Sequence, residues 1–194
     1  FEPLGMKSSS IGCSLENVIR VPVSFTQKHT NPTTPALLKL FNNYFDESAE
    51  CPSGNAYATI DDIFRFSELY RNCGTVYGER IISRALFDYA HQDHTVGMIN
   101  EAWTSEVVER SILPHPACFT LLGGYIRGDG HKPNSAGYTA SPTAFTAVGG
   151  GSTGMMIDFE KDLTVIFLSS GFREGLRHLE RLSRINDLAL AALK

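Results

Sequence analysis

This chain has no apolar run long enough for a membrane-spanning helix. Nothing approaches the roughly 18 consecutive apolar residues that a spanning helix requires, and the longest apolar runs, 165–168 and 188–193, have the size of core pieces. It has no basic excess either. Seventeen Lys and Arg against 21 Asp and Glu leave a net charge of −4, which provides no electrostatic footprint for nucleic acid. Cysteine is scarce, limited to Cys13, Cys51, Cys73 and Cys118. None forms a C-x-x-C pair, which argues against a zinc ribbon or a redox motif. The four read as ordinary thiols, with one or two disulfides as the alternative, so the compartment stays open. His91 and His94 have no third ligand nearby and read as surface residues, so no metal is expected. No cofactor motif, internal repeat or low-complexity tract is present. No charged-then-apolar leader follows Phe1. The expectation is a chain that starts after processing, a fragment, or one polypeptide of a multi-chain enzyme.

What is present is ordinary globular composition, 42% hydrophobic and 20% charged, in a length that suits one domain or one large piece of one. Thr34 then Pro35 form a helix start, and Leu37, Leu38, Leu40, Phe41 and Phe45 supply an apolar face behind it. A second helix is expected from Thr59, with Asp62 in a capping-box variant. Ile60, Ile63, Phe64, Phe66 and Leu69 form its buried side, and Gly74 its left-handed stop. Ser83 caps a third helix ending near His91, and 99–110 is a further helical candidate. From Cys118 the period changes. Strands are expected at 118–126, 144–148, 153–158 and 163–169, with a polar loop at 127–137 and a charged turn at 159–162. A closing helix over 174–193 would bury Leu176, Leu179, Leu182, Ile185, Leu188 and Ala189. Helices first, then antiparallel strands, then a closing helix argue an α+β fold: a loop and helical region at 1–116, and the sheet with its closing helix at 117–194.

The stretch 141–171, SPTAFTAVGGGSTGMMIDFEKDLTVIFLSSG, places a glycine-rich turn between two strand-like segments. It resembles the last conserved block of the serine β-lactamase and penicillin-binding-protein superfamily, in its esterase and class C β-lactamase branch. That block reads F-G-H-G-G-x-T-G-x-x-x-x-I-D-P-E before a hydrophobic strand. Phe145, Gly149, Ile157, Asp158 and Glu160 match it without a gap. Other landmarks follow in order. Residues 1–8, FEPLGMKS, are similar to the P-L-G-M landmark, and 52–72 to the G-x-x-S-T-x-x-D-L-x-R-F helix. Residues 79–83 resemble G-x-x-L-L-S, and Gly124-Tyr125 resembles part of G-Y-G-W.

The resemblance implies acyl-enzyme chemistry on a small-molecule ester or amide, with no cofactor. A Ser-x-x-Lys pair would supply the nucleophile and its base, and a Tyr-x-Asn motif a second acid/base group. Both lie upstream of P-L-G-M in the family, and this chain contains no Ser-x-x-Lys. The expectation is therefore the C-terminal portion of a single domain. A second polypeptide, or a segment not present here, would carry Ser-x-x-Lys and Tyr-x-Asn. Where the family has Lys, His or Trp, then Thr or Gly, then Gly, the ungapped match gives Ala147, Val148 and Gly149. A shifted register would put Ser152, Thr153 and Gly154 there. With Ala147 the cation is gone, which points away from a true β-lactamase and towards an esterase, amidase or acyltransferase acting on a neutral substrate. Loss of the cation also suits a binding or scaffold protein that kept the fold and lost the chemistry. Gly150 would give its backbone N–H to the oxyanion. Tyr125 and His131 flank the region where a substrate would lie.

Two other signals read as structural. Residues 150–154 spell G-x-S-x-G, but a nucleophile elbow needs a helix after it, and strands are expected here. Asp61 and Asp62 fit helix capping, and Asp158 and Glu160 fit a strand-to-strand turn.

Overall fold

The computed structural model describes residues 1–12, 24–25, 35–36, 39, 46, 48, 51, 54–101, 108–111, 114–130, 134–173 and 175–193. A four-stranded antiparallel sheet organises them, in the order β6 (Tyr125–Ile126), β7 (Phe145–Gly149), β8 (Thr153–Asp158), β9 (Leu163–Phe167). Six shorter strands surround it. β1 (Ser10–Ile11) pairs with β3 (Ala56–Tyr57), and β4 (Thr75–Val76) with β5 (Glu79–Arg80). β2 (Ser24–Phe25) runs parallel to β10 (Gly171–Phe172). The α-helices described from end to end are α1 (Ile60–Arg71), α2 (Arg84–Ala90) and α3 (Gly175–Ala191). The α+β expectation holds.

Strand alternation decides where the helices go. On β7 and β8, Phe145, Met155 and Ile157 face one way and pack with Leu69 and Tyr70 of α1 and Phe87 of α2. Met156 faces the other way, against Ala136, Ala140, Ala144 and Leu190 of α3. Val148 meets Leu176 and Leu179 of the same helix. Both faces of the sheet are covered, so β8 reads as a nearly continuous apolar run rather than an alternating one.

Local signals set the helix ends. Thr59 caps α1, its hydroxyl accepting from Asp62 N at 3.3 Å. The Asp62 carboxylate does not close a capping box. It accepts instead from Ser8 N at 2.7 Å and Ser9 Oγ at 2.9 Å, fastening the first residues to the helix. Ser83 caps α2 through Leu86 N. Gly74 (φ 92) ends α1 by donating to the Leu69 carbonyl at 2.7 Å.

Several expectations change. On α1, Ile60 and Phe64 are exposed, and the inward stripe is Ile63, Phe66, Leu69 and Tyr70. On α3, Leu188 is exposed, while His178, Ser183 and Asn186 are buried. The strand expected over 118–126 folds back on itself. Phe119 bridges Tyr125, and Thr120 N donates to the Gly124 carbonyl at 2.9 Å. Gly123 (φ 81) makes that reversal possible. Ile99 pairs with Pro116 in a β-bridge rather than opening a helix. His91 is half-buried rather than a surface residue. Its ring stacks on Phe87 at 5.5 Å, and its Nε2 donates to the Thr143 carbonyl at 3.0 Å. Cys51, Cys73 and Cys118 are not joined by disulfides. Cys13 and most of the helix expected behind Pro35 lie outside the described residues.

Two expected outcomes test this arrangement. A Cβ at Gly74 would meet the Ile82 carbonyl oxygen in a left-handed backbone. Gly74→Ala should cost about 1–3 kcal/mol in urea unfolding, and a loss within error would show that the turn relaxes freely. Burial holds the His91 pKa below its ordinary value, partly offset by the Thr143 bond and by Asp88. A depressed histidine contributes stability that is complete above the unfolded value of about 6.5 and is lost as pH falls through the folded value. The urea midpoint should therefore drop between pH 7.5 and 5.5, and His91→Phe should flatten part of that drop. A midpoint flat across this window would contradict it.

Candidate functional site

The phase of the β7–β8 ladder fixes which backbone groups are available. Ser152 N donates to the Gly149 carbonyl at 3.0 Å, closing a turn over Gly150 and Gly151. Gly149 therefore directs its backbone groups toward β8, as do Ala147 and Phe145, while Thr146, Val148 and Gly150 present theirs to the opposite edge. β6 covers that edge only at Phe145 and Thr146. Beyond Thr146 no strand pairs with it among the described residues. Gly150 is exposed, and among the described residues nothing but its chain neighbours lies within 4 Å of where its Cβ would be. Among the described residues nothing accepts a hydrogen bond from its N–H.

Side chains leave this edge in both directions. Ala147 packs its methyl on the α1 core, and Val148 packs on α3. Gly149 is required by its neighbour, since a Cβ there would overlap Thr153 Oγ1. Tyr125 sits on β6 directly opposite Thr146 and is half-buried. Burial raises its phenol pKa, opposed by a hydrogen bond with Asn100. The structure thus sets Tyr125 beside Thr146 near the start of β7, and strings Ala147, Val148, Gly149 and Gly150 along the rest of the strand and into the turn, whereas His131 lies outside the described residues.

Sequence reasoning did not single out a small cavity beside this edge. Its volume is about 20 Å³, and its lining is mixed: Ala117, Ile126 and Leu179 stand beside Tyr125, Ser135 and Thr146. Ser135 Oγ and Thr146 Oγ1 are hydrogen-bonded at 2.7 Å. The space suits a single water. Strand alternation was the available signal, because Thr146 shares a face with Val148. Also unforeseen were His178 and Arg181 on α3. His178 Nε2 contacts the Thr153 carbonyl at 2.8 Å, and Arg181 Nη2 lies 3.0 Å from His178 Nδ1. Their one-turn spacing on the buried face of α3 was the signal.

Two literal motif matches are structural. Ser152 is fully buried at φ 73, and its Oγ accepts from Arg173 N at 2.6 Å. A strand follows it, so it is no nucleophile elbow. Residues 70–72 spell Tyr-x-Asn, but Tyr70 is buried in α1, its hydroxyl donating to the Leu122 carbonyl at 2.8 Å. Asn72 Nδ2 donates to the Glu68 carbonyl at 2.8 Å. Asp158 and Glu160 lie at the β8–β9 turn as expected. The Asp158 carboxylate accepts from Glu160 N and Lys161 N, both at 3.2 Å.

Comparisons with known proteins bear on the fold. The Beta-lactamase family model matches residues 1–190. A penicillin-binding-protein homologue from Caulobacter crescentus is similar in structure, with TM-score 0.61 and 20% identity over 99% of this chain and 50% of its own. A β-lactamase from Mycobacterium bovis matches at TM-score 0.54 and 20% identity, over 71% of this chain and 45% of its own. EstCE1, described as a hydrolase with promiscuous acyltransferase activity, matches at TM-score 0.55 and 14% identity, over 95% and 48%. The chain thus spans about half the length of these solved structures. No curated protein matches it.

If Ser152 is purely structural, a serine-reactive phosphonate leaves it unmodified in a peptide map. Ser152→Ala then costs about 1 kcal/mol of stability by stranding Arg173 N. Phosphonate on Ser152 would refute this.

Proposed function

The chain belongs to the beta-lactamase family, and from that premise we propose that it forms part of a serine hydrolase working through an acyl-enzyme. In this reading the chain contributes the open edge of β7 and the Gly150 N–H as an oxyanion donor. The Ser-x-x-Lys and Tyr-x-Asn motifs come from polypeptide outside these 194 residues. The observation that carries the proposal is the N–H of the exposed Gly150, without an acceptor among the described residues, at the end of an edge that no described strand pairs with beyond Thr146. Backbone donors of this kind stabilise the charge of a tetrahedral intermediate.

The steps follow from that placement. The Ser hydroxyl loses its proton to the Lys amine and attacks the ester or amide carbonyl. Negative charge collects on the carbonyl oxygen, toward which the Gly150 N–H donates. Collapse expels the alcohol or amine, and water then releases the acyl group. Transfer to another acceptor is the same chemistry with a different second nucleophile. The substrate is neutral in this reading, because Ala147 supplies no cation beside the edge. Val148 and Gly149 wall the same edge, and Tyr125 and His131 are its flanking residues in this reading. A second reading, a binding or scaffold protein without turnover, draws on the same Ala147.

Gly150 gives a clean test. It occupies the first central position of a turn with φ not positive, where proline is favoured. Gly150→Pro removes the N–H while preserving the fold, and Gly150→Ala keeps it. In the native assembly, turnover of small esters should fall about 10²–10³-fold in Gly150→Pro and stay within a few-fold in Gly150→Ala. The phosphonate label should map to a serine outside this chain. Equal activity in both variants sinks the oxyanion role, and absence of label and turnover favours the scaffold.

A further inference from the structure

Three successive residues on the returning limb of the β7–β8 turn are each held by one turn of α3. Arg181 Nη2 donates to the Ser152 carbonyl at 3.3 Å. His178 Nε2 donates to the Thr153 carbonyl at 2.8 Å. Leu182 Cδ1 fills the space at Gly154, where a Cβ would come within 2.6 Å of it. Arg181 also fixes the state of His178. A guanidinium only donates, so its 3.0 Å contact makes His178 Nδ1 the acceptor and leaves the proton on Nε2. Arg181 is anchored in turn by the Gly171 carbonyl at 3.4 Å and by the Phe167 ring, 4.9 Å from its guanidinium carbon.

On the outbound limb α3 reaches Val148, through Leu176 and Leu179, but not the turn residue that follows Gly149. Gly150 touches nothing that would constrain a side chain, and glycines define little geometry of their own. We propose that His178 and Arg181 are positioning residues for the Gly150 N–H. They hold the returning limb, and the Ser152 N to Gly149 O bond of 3.0 Å carries that constraint across the turn. The functional meaning rests on Gly150 as oxyanion donor, whereas the mechanical claim does not.

The test is amide exchange and nitrogen relaxation on the full chain in its native assembly. His178→Leu should speed exchange of the Ser152 amide at least tenfold. The Gly150 order parameter should fall from about 0.85 to below about 0.6. Amides of Met156 and Ile157, in the middle of the ladder, should keep their rates. His178→Gln, whose amide can donate to Thr153 and accept from Arg181, should bring Ser152 back to within about threefold. An unchanged Ser152 and Gly150 overturns the proposal. So does a change shared equally by Met156 and Ile157, or a Gln variant no better than Leu. If His178→Leu does not fold, Arg181→Met is read on the same amides by the same criteria. If the clamp passes while Gly150→Pro leaves turnover intact, the oxyanion role fails and the clamp stands. The reverse pattern separates them the other way.

Discussion

The sealing of β8 governs the rest of the structure. Met155, Met156, Ile157 and Asp158 are buried in succession, with β7 and β9 paired along both edges. A strand covered on both faces forces two helical layers, α1 with α2 on one side and α3 on the other. Each buried apolar side chain there contributes roughly 1.5–3 kcal/mol. Asp158 is the exception that fastens the outer layer. A bare carboxylate at that depth would be prohibitive. Besides the two turn N–H groups, Ser141 N reaches it at 2.8 Å, so its satisfaction pulls the segment around 134–144 down over the α3 face.

The shortness of β6 follows from the same plan. Gly123 turns the chain back after Phe119, and only Tyr125 and Ile126 reach the ladder. An uncovered strand edge is an invitation to association, and natural sheets usually blunt it. Here the edge ends in Gly149, Gly150 and Gly151 instead. A glycine-rich edge with both flanking faces already packed has no structural gain to offer for its exposure. That mismatch is why the edge, rather than the small cavity beside it, is the better candidate for contact with a substrate or a second polypeptide.

Much of the fold was legible because its signals are local. The Thr59 and Ser83 caps, the Gly74 stop and the span of β8 depend on neighbours in sequence. The errors arise where distant packing decides. Ile60 and Phe64 look like core by type, yet the sheet takes Ile63, Phe66 and Tyr70 instead, a rotation that periodicity alone does not fix. His91 sits between Phe87 and Phe159, a contact set by a strand-to-strand turn nearly seventy residues away. At the site, the edge residues were legible from the glycine pattern. The His178–Arg181 clamp shows in sequence only as a one-turn spacing on the buried face of α3, because the carbonyls it holds leave no trace there.

The loss of a cation at Ala147 has a smaller consequence than the motif comparison suggests. Alternation sends the Ala147 methyl to α1 and the Val148 side chain to α3. What β7 offers along its free edge is therefore backbone, and backbone donors do not depend on residue type. Only Gly149 is constrained, by the close approach of Thr153. A family member can exchange the side chains at the first two positions of this motif, altering charge and shape beside the edge, while the direction of the Gly150 N–H survives. That direction depends on the hold of α3 on residues 152–154. Under the proposed reading, substrate preference and oxyanion stabilisation are then set by different parts of the chain, one by the side chains of β7 and the other by the helix behind it.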